Sequence, residues 1–183
     1  MKTELTQILN SVKNGSMTVE EAALKLKITP FEDIGYAKID LHRKIRQGAA
    51  EVIYGAGKTA VQIAGITETM LKNGQENILI TRLDPKAAEF LKKTVELDYH
   101  EDAKIGIIGQ IPAPDGIGKI VVAAGGTSDI PVAEEAALTA EVLGNQVERL
   151  YDVGVAGLHR LLKHLDEIMN ASVIIAVAGM EGA

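Results

Sequence analysis

The chain has 183 residues, of which 46% are hydrophobic and 24% are charged, as in one soluble globular domain with at most a small appendage. A net charge of −6 and an aromatic content of 3% argue against a general nucleic-acid binder, which needs basic and base-stacking surfaces. The absence of cysteine excludes disulfides, zinc–cysteine centres and a cysteine nucleophile within this sequence.

The N-terminal part predicts two short helices. Apolar residues recur at helical spacing over residues 3–14, and Thr18 with Glu21 three residues later has the pattern of a capping box at the start of a second helix. The segment that follows, up to residue 50, is irregular and then charged. The first residues lack the apolar region of a signal peptide, and no apolar run is long enough to cross a bilayer, so we expect a cytoplasmic protein without membrane partners.

From residue 51 onward, apolar runs that predict strands alternate with longer segments that predict helices. Continuously apolar strands that alternate with helices are typical of a parallel sheet covered on both faces. The strands are expected at 51–55, 77–82, 104–109, 119–125, 147–154 and 172–179, and the helices at 57–74, 84–93, 131–144 and 155–169.

The proline- and glycine-rich stretch 110–118 predicts a loop or a joint between domains. We therefore divide the chain into a helical and small α/β part, residues 1–116, and a second domain, residues 117–183. The last apolar strand ends close to Ala183, whereas a sheet covered on both faces normally continues with another helix. Either a partner chain covers that edge or the sequence is truncated at its C-terminus, and we favour truncation.

The segment EVIYGAGKTA places two glycines and a lysine between a strand and a helix. It is not a P-loop, because Val52 stands where the first glycine of that motif is required. It fits the weaker dinucleotide fingerprint G-x-G-x-x-A, but the acidic residue expected about twenty positions later is Glu76, which precedes a strand. An anion contact by Lys58 at a helix N-terminus and a purely structural turn are equally good interpretations.

The stretch VVAAGGTSDIPVAEEA is the strongest candidate for a binding loop. In an open α/β sheet, ligands bind beyond the carboxyl ends of the strands. Gly125 and Gly126 follow such a strand and leave the backbone open to a ligand. The helix that begins next offers free N–H groups and positive potential, which suit phosphate or carboxylate.

Ser128 or Asp129 could instead simply cap that helix. Proline prefers the first helical position, so Pro131 places the cap at Ile130 and leaves the Thr-Ser-Asp sequence in the loop before it. An aspartate beside an anion site is expected only where it binds a proton, a metal ion or a cationic ring. The pattern therefore favours a functional loop over a simple cap.

Two more predicted strands end beside a carboxylate. Asp152 follows the strand VERLY, and Glu181 lies between Met180 and Gly182 after the last strand. Together with Asp129, these residues indicate one crevice at the carboxyl edge of the sheet.

The histidines give a weaker signal. His42, His100, His159 and His164 include no pair at the spacing of a helical metalloprotease motif. His159 falls at the edge of an apolar helical stripe, where a structural role is the more common one.

Three motifs, GTSDIPVAEEA, DVGVAGLHRLL and VAGMEGA, together resemble the LarB family, the pyridinium-3,5-biscarboxylic acid mononucleotide synthases. The segment RKIRQGAAEVIYGAGKT is also similar to that family, although Ala49 and Ala50 stand where a larger residue and a proline are expected, and AAGGTSD replaces the usual TAGTSD. The catalytic half of the family is similar to PurE, the carboxyaminoimidazole ribonucleotide mutase. The resemblance implies an α/β, flavodoxin-like three-layer fold with a parallel sheet flanked by helices, incomplete at the C-terminus, and residues 117–183 as its first half.

The resemblance also implies a reaction. Nicotinic acid adenine dinucleotide is carboxylated at C5 of its pyridinium ring with CO2 or bicarbonate, and its phosphoanhydride is hydrolysed to release AMP. This is the first step towards the nickel-pincer nucleotide cofactor of lactate racemase. The family's nucleophile is a cysteine beyond the last motif, which this sequence lacks.

By the same resemblance, the chain works without a permanently bound organic cofactor, uses Mg²⁺ in the anhydride step and forms a homo-oligomer, an octamer in PurE-like proteins. The residues that it implicates are, for catalysis, Ser128, Asp129 and Glu181; for the pocket, Gly125, Gly126, Thr127, Asp152, His159, Arg160 and Met180; and for the dinucleotide, Arg43, Arg46 and Lys58.

Two alternatives stay open. The chain could be a non-catalytic nucleotide-binding or assembly subunit that keeps half of the site and lacks the nucleophile. It could also be a PurE-like mutase, which is less favoured because the N-terminal part is not expected in that enzyme.

Overall fold

The computed structural model describes residues 2–28, 31–41, 43, 48–180 and 182. The chain divides into two compact units, one made of Met1–Glu51 with Ala64–Gln75 and the other of Val52–Ile63 with Glu76–Ala183. The domain boundary that the sequence predicts after residue 116 falls between the two sheets of the second unit, and it stays a prediction.

The first unit begins with the two predicted helices, α1 (Lys2–Lys13) and α2 (Val19–Ile28). The capping box at the start of α2 is confirmed. The Glu21 N–H donates to Thr18 Oγ1 at 3.1 Å, and the Thr18 N–H donates to the Glu21 carboxylate at 2.8 Å.

A short antiparallel hairpin follows where the sequence predicts irregular chain. Its strands are β1 (Phe31–Asp33) and β2 (Lys38–Asp40). Gly35 supplies the positive φ of the turn, +87°, and the Ile34 N–H donates to the Ala37 carbonyl at 3.0 Å. Ile39 is the buried residue of these strands, and such a short apolar pattern is too weak to predict a strand.

The remaining elements agree in type and order with the predicted alternation, apart from one additional strand, β5, and a divided last helix. The helices are α3 (Ala60–Lys72), α4 (Pro85–Leu91), α5 (Ile130–Val142), α6 (Leu158–Leu162) and α7 (Leu165–Met169). The strands are β3 (Ile53–Tyr54), β4 (Ile78–Thr81), β5 (Asp98–His100), β6 (Ile105–Ile108), β7 (Lys119–Ala124), β8 (Gln146–Leu150) and β9 (Val173–Val177).

The strands of the second unit form two separate sheets. The first has the order β3-β4-β6-β5, and only β3 and β4 are parallel in it. The prediction that all strands are parallel is therefore wrong for this part of the chain. Hydrophobic periodicity carries no information on strand direction. The second sheet, β8-β7-β9, is parallel throughout and confirms the predicted fold class.

Helices cover both faces of this parallel sheet. Alternate residues of β7 point to opposite faces, so Val122 and Ala124 pack against α5, whereas Val121 lies on the side of α6 and α7. Leu161 and Ile168 complete the second layer. The three-layer arrangement expected from the sequence is thus present.

Helix α5 lies between the two sheets. Ala133 and Ala137 pack against the parallel sheet, and Leu138 joins the core of the mixed sheet with Leu79 and Ile107. No residue from 133 to 142 is exposed. A helix that is apolar on more than one face is expected to be buried on more than one face, and the alanine-rich sequence of α5 follows from that position.

The predicted helix over residues 155–169 is broken into three pieces, a 3₁₀ turn (Val155–Gly157), α6 and α7. Its apolar stripe is about half exposed, with Leu158 at 52% and Leu162 at 55%. Since most helical stability in proteins comes from burial of an apolar face, little here favours one continuous helix. Within the described residues, every helix is too short or too polar to traverse a bilayer.

Candidate active site at the strand ends

The carboxyl ends of the three parallel strands meet at one edge of the sheet. The Gly125 N–H, just after β7, donates to the Val177 carbonyl of β9 at 2.9 Å. The Val153 and Gly154 N–H groups, just after β8, donate to the carbonyls of Ala124 and Gly125 at 3.0 and 2.9 Å. The three loops that the sequence predicts to share a crevice therefore leave the sheet side by side.

The loop after β7 is a 3₁₀ turn (Thr127–Asp129) that runs directly into α5. Asp129 occupies the N-cap position, so the cap predicted at Ile130 is wrong by one residue. Pro131 is accepted at the second helical position because the N–H groups of a first turn have no partner within the helix. Thr127 and Ser128 lie before the helix, as predicted, and both are exposed.

The Asp129 side chain does not cap α5. One carboxylate oxygen, Oδ2, accepts a hydrogen bond from the Gly126 N–H at 2.9 Å and so closes the 3₁₀ turn. The other, Oδ1, lies 3.9 Å from the position of a Cβ atom added to Gly179, in the loop after β9. The aspartate is partly buried and faces the neighbouring strand end.

Asp152 and Arg160 form an ion pair beside this edge, through Asp152 Oδ2 and Arg160 Nη1. Asp152 has a φ of +57°, a conformation that aspartate tolerates better than most residues. The guanidinium lies across Gly157, where an added Cβ would be 2.4 Å from Arg160 Nε. Arg160 Nε itself is buried and has no hydrogen-bond partner within the described residues.

The other predicted site residues are less closely grouped. His159 is exposed on α6, and Met180 is 81% exposed after β9. Lys58 lies in the loop after β3, and its Nζ donates to the Tyr54 carbonyl at 2.7 Å. Arg43 is exposed in the first unit. Glu181 and Arg46, like His42, lie outside the described residues.

A charged network next to this edge was not anticipated from the sequence. The Tyr151 hydroxyl donates to Glu134 of α5 at 2.6 Å, and Arg149 of β8 donates to both Glu134 and Glu141. Burial is the largest cause that raises the pKa of Tyr151, followed by its hydrogen bond to Glu134. The hydrogen bond to Glu141 raises the pKa of Arg149.

The spacing of these residues could have revealed the network. Arg149 and Tyr151 are two apart in the strand predicted over 147–154 and would therefore share a face. Glu134 and Glu141 are seven apart in the predicted helix 131–144 and do the same. The network holds the end of β8 against α5, immediately before Asp152.

Among the described residues, no group of three or more histidine or acidic side chains is arranged to hold a metal ion. Mg²⁺ usually binds through one or two carboxylates together with substrate phosphates, and we derive no step through it. Magnesium in the anhydride step stays a prediction.

The chain is similar in sequence to known proteins. A family model described as "LarB/PurE-like N-terminal domain" matches residues 31–110. An uncharacterized protein of Methanocaldococcus jannaschii is 36% identical over 192 residues, an alignment that covers 100% of this chain and 75% of that relative.

Proposed function

The chain belongs to the LarB family, and we propose that it carries the pyridinium-binding half of a site that carboxylates nicotinic acid adenine dinucleotide at ring C5 and hydrolyses its phosphoanhydride to release AMP. The product would be pyridinium-3,5-biscarboxylic acid mononucleotide, which serves nickel-pincer cofactor biosynthesis for lactate racemase.

The observation that carries the proposal is the partly buried Asp129 carboxylate at the shared edge of three parallel strands. Its Oδ2 is fixed by the Gly126 N–H, so its position is set before any ligand binds. Its Oδ1 faces Gly179, which presents no side chain. A flat cationic ring suits such a place, because its positive charge complements the carboxylate and the glycine leaves room for it.

The reaction gives these residues distinct tasks. A nucleophile that adds to the electron-poor ring converts it into an enamine, and C5 of that enamine attacks CO2. Loss of the C5 proton to a base and departure of the nucleophile then restore the pyridinium. We assign to Asp129 either the removal of the C5 proton or the stabilisation of the positively charged ring. The exposed hydroxyls of Thr127 and Ser128 are assigned to binding the phosphate next to the ring.

The family's cysteine nucleophile is not part of this sequence, so the first test is binding. Nicotinic acid mononucleotide is titrated into the wild type and into Asp129→Asn, with Asp166→Asn, an exposed aspartate of α7, as the matched control. Loss of a charge–charge contact at a partly buried site weakens binding by roughly tenfold, so we expect that loss in D129N alone. Equal affinities in all three proteins would contradict the assignment of Asp129.

The second test is turnover. Nicotinic acid adenine dinucleotide and ¹³C-bicarbonate are incubated with this chain and with a version extended past Ala183 by the family's cysteine segment, and the products are analysed by mass spectrometry. We expect labelled mononucleotide and AMP from the extended version. Substrate binding without product from either version would favour the non-catalytic nucleotide-binding subunit. Carboxylation of an aminoimidazole ribonucleotide instead would favour a PurE-like mutase.

A further inference from the structure

A second group of aromatic and basic side chains lies at the carboxyl ends of β3 and β4, in the mixed sheet. Tyr54 ends β3 and is 57% exposed. Lys58 Nζ lies 6.0 Å from the centre of the Tyr54 ring. Arg82 follows β4 and is adjacent to Tyr54, because Tyr54 and Thr81 are register partners. An exposed aromatic ring with a lysine over it thus lies near an arginine of the adjacent strand end, in a different sheet from the strand-end site.

The loop that carries these residues is fixed against the sheet. The Gly55 N–H donates to the Thr81 carbonyl at 2.7 Å, and a Cβ added to Gly55 would lie 2.9 Å from the same oxygen. At the start of α3, Thr59 and Gln62 satisfy each other's N–H groups at 2.9 and 3.2 Å. An anion at this place would therefore be bound by the side chains of Lys58 and Arg82.

Arg82 relates this group to the strand-end site. Its Nε donates to Glu135 of α5 at 2.8 Å, which leaves the terminal Nη donors of this half-exposed side chain for a ligand. Glu135 is five residues into α5, about 8 Å from its start at the Thr127–Asp129 turn. Asp129 and the partner of Arg82 therefore both belong to the first two turns of α5.

We propose that the Tyr54–Lys58–Arg82 group binds the adenylate half of the dinucleotide whose pyridinium half binds at Asp129. Tyr54 stacks on the adenine base, and Lys58 and Arg82 contact the phosphate. Base stacking on an aromatic side chain and bonding of phosphate to guanidinium are the two interactions that an adenylate requires. The proposal rests on the proposed function for the identity of the other half of the ligand.

AMP alone is the probe, titrated calorimetrically into the full chain. Tyr54→Ala and Lys58→Gln are expected to weaken AMP binding by roughly tenfold each. Lys58→Gln leaves the Arg82–Glu135 ion pair intact, so it tests phosphate binding without disturbing the contact to α5. The matched control is Lys93→Gln, an exposed lysine after α4, and it is expected to bind AMP as the wild type does.

Asp129→Asn separates this proposal from the proposed function. We expect it to leave AMP binding unchanged and to weaken binding of nicotinic acid mononucleotide, with Tyr54→Ala showing the opposite pattern. If AMP binds in the expected pattern but the pyridinium mononucleotide does not bind at all, the proposed function fails and the adenylate site stands. If AMP does not bind the wild type, or if its binding depends on Asp129 and not on Tyr54, the adenylate site is overturned.

Discussion

Close backbone packing at the strand-end site depends on Gly154 more than on Gly126. An added Cβ at Gly154 would lie 2.5 Å from the Gly125 carbonyl oxygen, a distance that real Cβ atoms do not reach. At Gly126 the nearest atom to an added Cβ is Asp129 Oδ2 at 3.7 Å, and the φ of −145° is open to any residue. Gly154 is therefore required by the close approach of two loops, whereas the space at Gly126 would also accept a small side chain.

We expect Gly154→Ala to lower the free energy of unfolding by about 1–3 kcal/mol, because the backbone after β8 must move away from the loop after β7. Gly126→Ala, the matched control, is expected to stay within about 0.5 kcal/mol of the wild type. Urea denaturation followed by circular dichroism measures both. A Gly154→Ala variant as stable as the wild type would mean that the close contact is relieved without cost, and a similar loss in both variants would mean that the loss does not come from this contact.

Because of the Tyr151–Glu134 hydrogen bond, we expect the folded protein to lose stability at alkaline pH. Burial and this bond raise the pKa of Tyr151 in the folded state above its ordinary value near 10. The contribution to stability is therefore fully present below about pH 10 and is lost as the pH rises further through the folded-state pKa.

Tyr151→Phe removes the titrating group, so the wild type should lose more of its free energy of unfolding than the variant between about pH 9 and about pH 11. Urea denaturation at each pH gives the two curves. Parallel curves would contradict the assigned role of the hydrogen bond.

At the scale of elements, α5 connects the two halves of the second unit. Ala137 is fully buried against the parallel sheet, whereas Leu138 faces the mixed sheet. Side chains of alanine size let the helix approach the parallel strands closely, so a larger residue there has no space.

Ala137→Leu is expected to destabilise the protein by about 1–3 kcal/mol through overpacking. Val132→Leu, on the same helix but 49% exposed, is the control and is expected to change stability by less than about 0.5 kcal/mol. Thermal and urea unfolding of both variants test this. A tolerated leucine at position 137 would show that α5 can shift away from the sheet.

The elements also show what the sequence can and cannot predict. Periodicity located most helices and strands, and the capping pattern of Thr18 and Glu21 located the start of α2. Strand direction in the mixed sheet, the polar strand β5 and the break between α6 and α7 depend on tertiary contacts that leave no periodic trace. The strand-end residues were found because parallel strands bring their loops together, whereas Arg82 lacked a motif of its own.

At the scale of the whole molecule, the last three elements expose an unusual amount of apolar surface. Soluble monomers rarely leave large contiguous apolar patches uncovered, and β9 is also an edge strand, paired among the described strands with β7 alone. The exposed large apolar residues on α6, α7 and β9 are Leu158, Leu162, Leu165, Met169, Val173 and Ile174. The alternative that the sequence analysis favoured less, a partner chain over this edge, can be tested here: in the homo-oligomer that the family resemblance implies, we propose that a second copy of the chain covers these residues.

Ile174→Lys is expected to shift the sedimentation of the protein towards the monomer, because a buried lysine at such an interface is unpaired. Val19→Lys, at an exposed position of α2, is the control and should sediment as the wild type does. Identical sedimentation of all three proteins would contradict an interface on this surface.

The position of α5 between two sheets also limits how this sequence can change over evolutionary time. A helix on the surface accumulates neutral substitutions on its outer side, but from residue 133 to residue 142 no side of α5 is exposed. We expect divergent homologues to keep small residues at Ala133 and Ala137, and to vary freely on the exposed positions of α1 and α2. Sequence similarity between distant members of the family would then persist longer in α5 than in α1 and α2.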